Sequence, residues 1–381
     1  MTALWAVNAI ACAAYQPSTT PSATPGSRLA PARQETPWTA YLGNAQHDVS
    51  AAETLNADPR PLWHATVGRA VRGSPALGET VIAVGTVDRQ VVLLDRPTGQ
   101  VLWRARLRGT VHAGPLLDPD RLYVATEASP DGQVYALSLR DGRTLWSTRT
   151  AGIEAALALA GDTLYAGTES GLLLRLGAAD GKVVWRRQLG GAVRAAPVPT
   201  PAGIAVATTA DTLFLVDGAK GEVTQRLALP GAVLAGPALG PAADRLYLGT
   251  TGGQILAVAL PELTVAWDCS AGDAVYGALA IARDTVFALA RNGTLWLIPR
   301  DGPAAGGARS VALGIVATAG PTPLSHGVLA GSVSGEVVLV DPASGSIAWR
   351  AQVEGPIEQP PLVRDRQLVV IGGHGDIHVY R

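Results

Sequence analysis

The 381-residue sequence has two cysteines, Cys12 and Cys269, one methionine and two phenylalanines. The cysteines stand far apart, with no CxxC pair and no Cys/His cluster. This excludes a disulfide framework and argues against a structural zinc site. Charged residues make up only 16% of the chain and balance to a formal net charge of -1. No run of Lys or Arg stands out, so nucleic acid and anionic membrane surfaces would meet no basic stripe. A Ser nucleophile elbow, a Gly-rich phosphate loop and EF-hand spacing are also missing. The apolar run at residues 2–14 is too short to span a bilayer as a helix.

What the chain has in quantity is glycine (44), proline (27) and hydrophobic residues (48%). That balance fits many turns, few long helices and a substantial core. A five-residue pattern recurs: VRGSP at 71–75, VHAGP at 111–115, VRAAP at 193–197 and VLAGP at 233–237. Its varying second letter gives a marker at Arg72, His112, Glu154, Arg194, Leu234, Tyr276, Ala317 and Glu358, in steps of 40 to 42 residues. The last two sit in altered versions, VATAGP and IEQPP. Tryptophan lies eight or nine residues before six of these markers, at Trp63, Trp103, Trp146, Trp185, Trp267 and Trp349, with Gln225 and Arg309 in the other two slots. Glycine stands four residues before the tryptophan slot at Gly99, Gly142, Gly181, Gly221 and Gly345. About thirteen residues after each marker comes a small residue: Gly85, Ala125, Gly167, Ala207, Gly249, Ala288, Gly331 or Gly372.

Each unit reads as four short strands separated by turns such as RPTG, RDG and PASG. Repetition of such units predicts an all-β, eight-bladed β-propeller with four antiparallel strands per blade. A β-solenoid usually repeats in shorter steps. The last unit, from Ile357 to Arg381, has only three strands, whereas residues 61–67, PLWHATV, carry a tryptophan slot with no first three strands before them. The N-terminal strand is therefore expected to close the last blade. The expected organisation is a signal-like segment at 1–14, a Pro/Ser/Thr-rich disordered tether at 15–37 and a propeller at 38–381.

The units, of the form sP…vyvGt..g.vvaLd..tG..lW, resemble the quinoprotein-type propeller repeat, as does the approach PWTAYLGNAQHDVS. The resemblance covers residues 38–381. It extends to BamB-like lipoproteins, the non-catalytic eight-bladed members of the outer-membrane β-barrel assembly machinery. Ala9-Ile10-Ala11-Cys12 resembles a bacterial lipobox, which makes Cys12 the expected lipidation site. The resemblance implies a scaffold of the cell envelope on the periplasmic side of the outer membrane. It would hold the membrane through a lipid anchor only and partner a β-barrel insertase and its associated lipoproteins. It also implies docking through the middle blades, where the nearest position is Arg194 in GGAVRAAP. The loop that follows, LPGAVLAGP, has no acidic residue.

The repeat has a second class of bearer, the pyrroloquinoline quinone dehydrogenases, which typically place a vicinal cysteine pair beside the cofactor. Cys269 has no neighbouring cysteine. No catalytic residue, metal ligand or cofactor is therefore assigned. A ligand-sensing or adhesion propeller stands as a further alternative. His374 and His378, within HGDIH, would share a strand face, but Gly375-Asp376 between them reads as a turn. The eight varying letters should ring one mouth of the central channel. Inter-blade ion pairing, with Arg194 beside Glu154 and Arg72 beside Glu358, is one role for the ring; partner or ligand binding is the other.

Overall fold

The computed structural model describes residues 53–128 and 131–381. The signal-like and tether segments, with Cys12, lie outside the described residues. Thirty-two strands form eight four-stranded antiparallel sheets among the described residues. Seven blades run through the chain in order, from Ala76–Leu77 through Val101–Arg106 in blade 1 to Thr322–Leu324 through Ile347–Gln352 in blade 7. Blade 8 takes its inner three strands from Leu362–Arg364, Gln367–Gly372 and Asp376–Tyr380. Its outer strand is Pro61–Thr66 from the other end of the propeller. The only helical element among the described residues is a single 3-10 turn, Pro303–Ala305.

The repeated residues turn out to be the joints between blades. Val111, Val193, Val275 and Ile357 each press onto the small residue of the preceding blade: Gly85, Gly167, Gly249 and Gly331. A Cβ at any of these glycines would run into the branched side chain, so close packing demands a small residue there. The backbone closes the same joint. The amides of Val111, Ile153, Val193, Val275 and Ile357 donate to the carbonyls of Thr86, Thr126, Thr168, Thr250 and Ser332. Farther in, a Cβ on Gly73 would sit 2.5 Å from the backbone of Ala113, and one on Gly114 would sit 2.6 Å from the Ser74 carbonyl. The inner segments therefore pack backbone to backbone around the axis. VRGSP and its equivalents lie before the inner strand and feed into it. The strand itself is the two residues Ala76–Leu77 after the proline, where the missing N–H costs no ladder bond.

The tryptophans make the outer joints. The indole N–H of Trp63, Trp103, Trp146, Trp185 and Trp267 donates to a turn carbonyl of the next blade: Arg96, Leu139, Ala178, Gly218 and Arg300, at 2.9 to 3.2 Å. Each of the first four rings covers the glycine of that turn. A Cβ on Gly99, for instance, would meet Trp63 at 2.6 Å. The glycine thus serves the tryptophan of the preceding blade, not the one four residues ahead of it. Of the two slots without tryptophan, Arg309 of blade 6 is still followed by Gly345 in blade 7, whereas Gln225 is not followed by glycine. Blade 4 has Gln225 in the tryptophan slot, and the glycine slot of blade 5 holds Leu263, buried despite its left-handed φ of 51°.

The seam between blades 8 and 1 carries extra polar latches. Buried Arg364 donates to the Leu77 carbonyl at 2.8 Å, and buried Arg96 pairs with Asp365 at 2.7 Å.

Candidate functional site

The inner segments bring five of the eight varying letters together. Arg72, His112, Glu154, Arg194, Leu234 and Gln359 line a polar depression there. Glu358 joins the ring through Arg72, at 3.5 Å across the closing seam. Tyr276 is half-buried and does not line the depression. The expected place of Ala317 needs correction. It is buried in the inter-blade core, in the slot that valine or isoleucine fills elsewhere. Thr318, half-buried, is the residue in register with the ring. The altered VATAGP sequence aligns equally well one residue either way, and only packing resolves the choice.

Both expected ion pairs form across blade boundaries. Arg194 lies 3.5 Å from Glu154, and Arg72 pairs with Glu358. The sequence reading missed the stronger contacts. Arg194 makes a forked interaction with Glu169, Nε at 3.1 Å and Nη2 at 2.9 Å from Oε2. His112 Nδ1 lies 3.0 Å from Glu127. Glu127 and Glu169 each stand two residues after the small-residue marker, in AT-Glu127 and GT-Glu169. That spacing is a second ring position, and it was available in the sequence.

With these residues included, the ring charges no longer balance locally. Glu127, Glu154 and Glu169 face a single guanidinium, Arg194, around His112. Burial, with the Glu169 carboxylate beside it, pushes the Glu154 carboxyl above the usual carboxylate range; Arg194 pulls the other way. The same Glu169 contact raises Arg194 further and fixes its charge. Half of the Arg194 side chain is still exposed, so these pairs orient the guanidinium more than they stabilise the fold.

The two C-terminal histidines do not share a site. His374 is in the turn before the last strand. His378 sits opposite His64 across the closing ladder, with the rings stacked at 6.0 Å. Cys269 is buried in the outer strand of blade 5.

The fold and its joints define a class: an eight-bladed propeller of the quinoprotein-type repeat, closed by its N-terminal strand. The family model described as outer membrane protein assembly factor BamB matches residues 48–158, 130–301 and 304–381. The chain belongs to this family. Among its relatives, the BamB of Burkholderia pseudomallei is 32% identical over 99 residues, 25% of this chain and 26% of that one. The BamB of Bordetella pertussis is 26% identical over 195 residues, 45% of this chain and 48% of that one. The chain thus matches less than half the length of either curated relative. Among solved structures, BamB from Moraxella catarrhalis has a TM-score of 0.71 at 16% identity, covering 85% of this chain and 97% of that one. The computationally designed protein Ika8 scores 0.70, also at 16% identity, covering 84% and 99%. At such identity these structural likenesses speak for the fold alone.

Proposed function

We propose that this protein is a non-catalytic scaffold in outer-membrane β-barrel assembly, held on the periplasmic side of the outer membrane by a lipid on Cys12. The observation that carries the reading is the family match, which runs through the propeller from residue 48 to 381. In this reading the propeller docks on a β-barrel insertase and its associated lipoproteins through the channel-mouth face. Arg194 presents its charge there, exposed but held in one orientation by Glu169. The ion pairs of the ring stiffen that face. No redox cofactor takes part, since Cys269 has no neighbouring cysteine to build the platform of the quinone enzymes.

The test is deletion of the gene in its native host. Lowered levels of outer-membrane barrel proteins, with increased sensitivity to large antibiotics, are expected. Restoration should need a copy with Cys12 intact, and a Cys12→Ala copy should restore less. Unchanged barrel-protein levels in the deletion strain would overturn the assembly role.

A further inference from the structure

The acidic sector of the ring places three metal-ligating groups together. His112 Nδ1 lies 3.0 Å from Glu127 Oε2 and 4.0 Å from Glu154 Oε1, and ligand atoms of all three residues lie within 4.8 Å of one another. A tetrahedral ion with bonds of about 2.0–2.1 Å holds its ligand atoms roughly 3.3 Å apart, so the observed separations bracket that spacing. One imidazole nitrogen with two carboxylates suits a Zn²⁺-class cation that keeps water in its fourth position. Mg²⁺ and Ca²⁺ favour oxygen alone.

A second feature borders the same depression. Ser74, from the neighbouring blade, lines the same depression and is 2% exposed, yet its hydroxyl has no hydrogen-bond partner. A buried hydroxyl needs a partner, and a metal-bound water at the mouth would supply one. The three carboxylates also outnumber the one guanidinium beside them, an excess that a divalent cation would offset.

We propose that the channel mouth binds one divalent transition-metal cation of the Zn²⁺ class through His112 Nδ1, Glu127 and Glu154. Binding would draw Glu154 away from Arg194 and leave Arg194 to Glu169. The proposal is independent of the assembly role.

The test is titration of the EDTA-stripped full-length protein with ZnCl₂ by calorimetry, with MgCl₂ as the comparison. One saturable equivalent of Zn²⁺ is expected, with no comparable Mg²⁺ binding. Losing groups that merely orient a ligand typically costs 10–100-fold in metal affinity. His112→Ala and Glu154→Gln should therefore each weaken Zn²⁺ binding at least about tenfold. His326→Ala, at an exposed histidine on blade 7, should leave it unchanged. If His112→Ala does not fold, the near-isosteric Glu127→Gln and Glu154→Gln still decide the question. Absence of saturable binding, or affinity that survives these substitutions, would overturn the proposal.

Discussion

Trp63 offers a direct test of how the ring is closed. It sits on the N-terminal strand that completes blade 8. Its indole N–H donates to the Arg96 carbonyl of blade 1 at 3.0 Å, and its ring covers Gly99. Trp63→Ala removes both contacts at the one joint where two distant parts of the chain meet. Truncation of a buried tryptophan costs about 3–5 kcal/mol. Trp63 is only partly buried, so roughly 2–3 kcal/mol is the appropriate figure, including about 1 kcal/mol for the lost hydrogen bond. In a domain this large, each kcal/mol moves the melting temperature by about 2–4 °C, so a fall of roughly 5–10 °C is expected. Trp63→Phe keeps most of the apolar contact and should lose only the hydrogen-bond share. The assay is thermal unfolding by circular dichroism, with limited proteolysis to ask whether residues 61–66 become the first cut site. If Trp63→Ala melts within a degree of wild type and resists protease at that strand, the N-terminal strand does not close the ring as described.

Three further outcomes follow from the same joints. Gly167→Val would drive a branched side chain into Val193 of the next blade and should cost about 1–3 kcal/mol, read by denaturant unfolding. Gln225→Trp alone should clash with Leu263. Combined with Leu263→Gly it should rebuild the joint of the other blades, giving a favourable coupling of about 0.5–3 kcal/mol in a double-mutant cycle. His378 supplies the pH dependence. Burial holds its imidazole below the usual histidine value, and His64 adds to this, while Asp376 and Glu354 oppose it. The unfolded chain therefore takes up the proton first, near pH 6.5. The contribution of His378 is full above that pH and is lost as pH falls through the lower folded value. Melting temperature should drop between pH 7.5 and 5, and His378→Gln should flatten that drop.

Most of the architecture was legible because each blade repeats the same physical problem. Val111 on Gly85 and Trp63 on Gly99 are solutions that recur every 40 to 42 residues, so periodicity alone exposed blade number, strand count and the closing strand. The site was less legible because it is where the repeats differ. Arg194 and Glu154 could be placed as neighbours by counting. Glu169 and Glu127 were missed because the small-residue marker was read only for its size, not for the residue two positions beyond it. The slip at Ala317 came from a blade whose valine slot holds alanine, where side-chain type no longer reports depth.

The central claim is that this propeller works as a docking scaffold for barrel assembly. It is tested most directly by affinity capture of the tagged, natively expressed protein from detergent-solubilised envelopes, followed by mass spectrometry. The account predicts recovery of a β-barrel insertase with its accessory lipoproteins, and loss of that recovery in Arg194→Glu. Abundant capture of the protein without an insertase would contradict it.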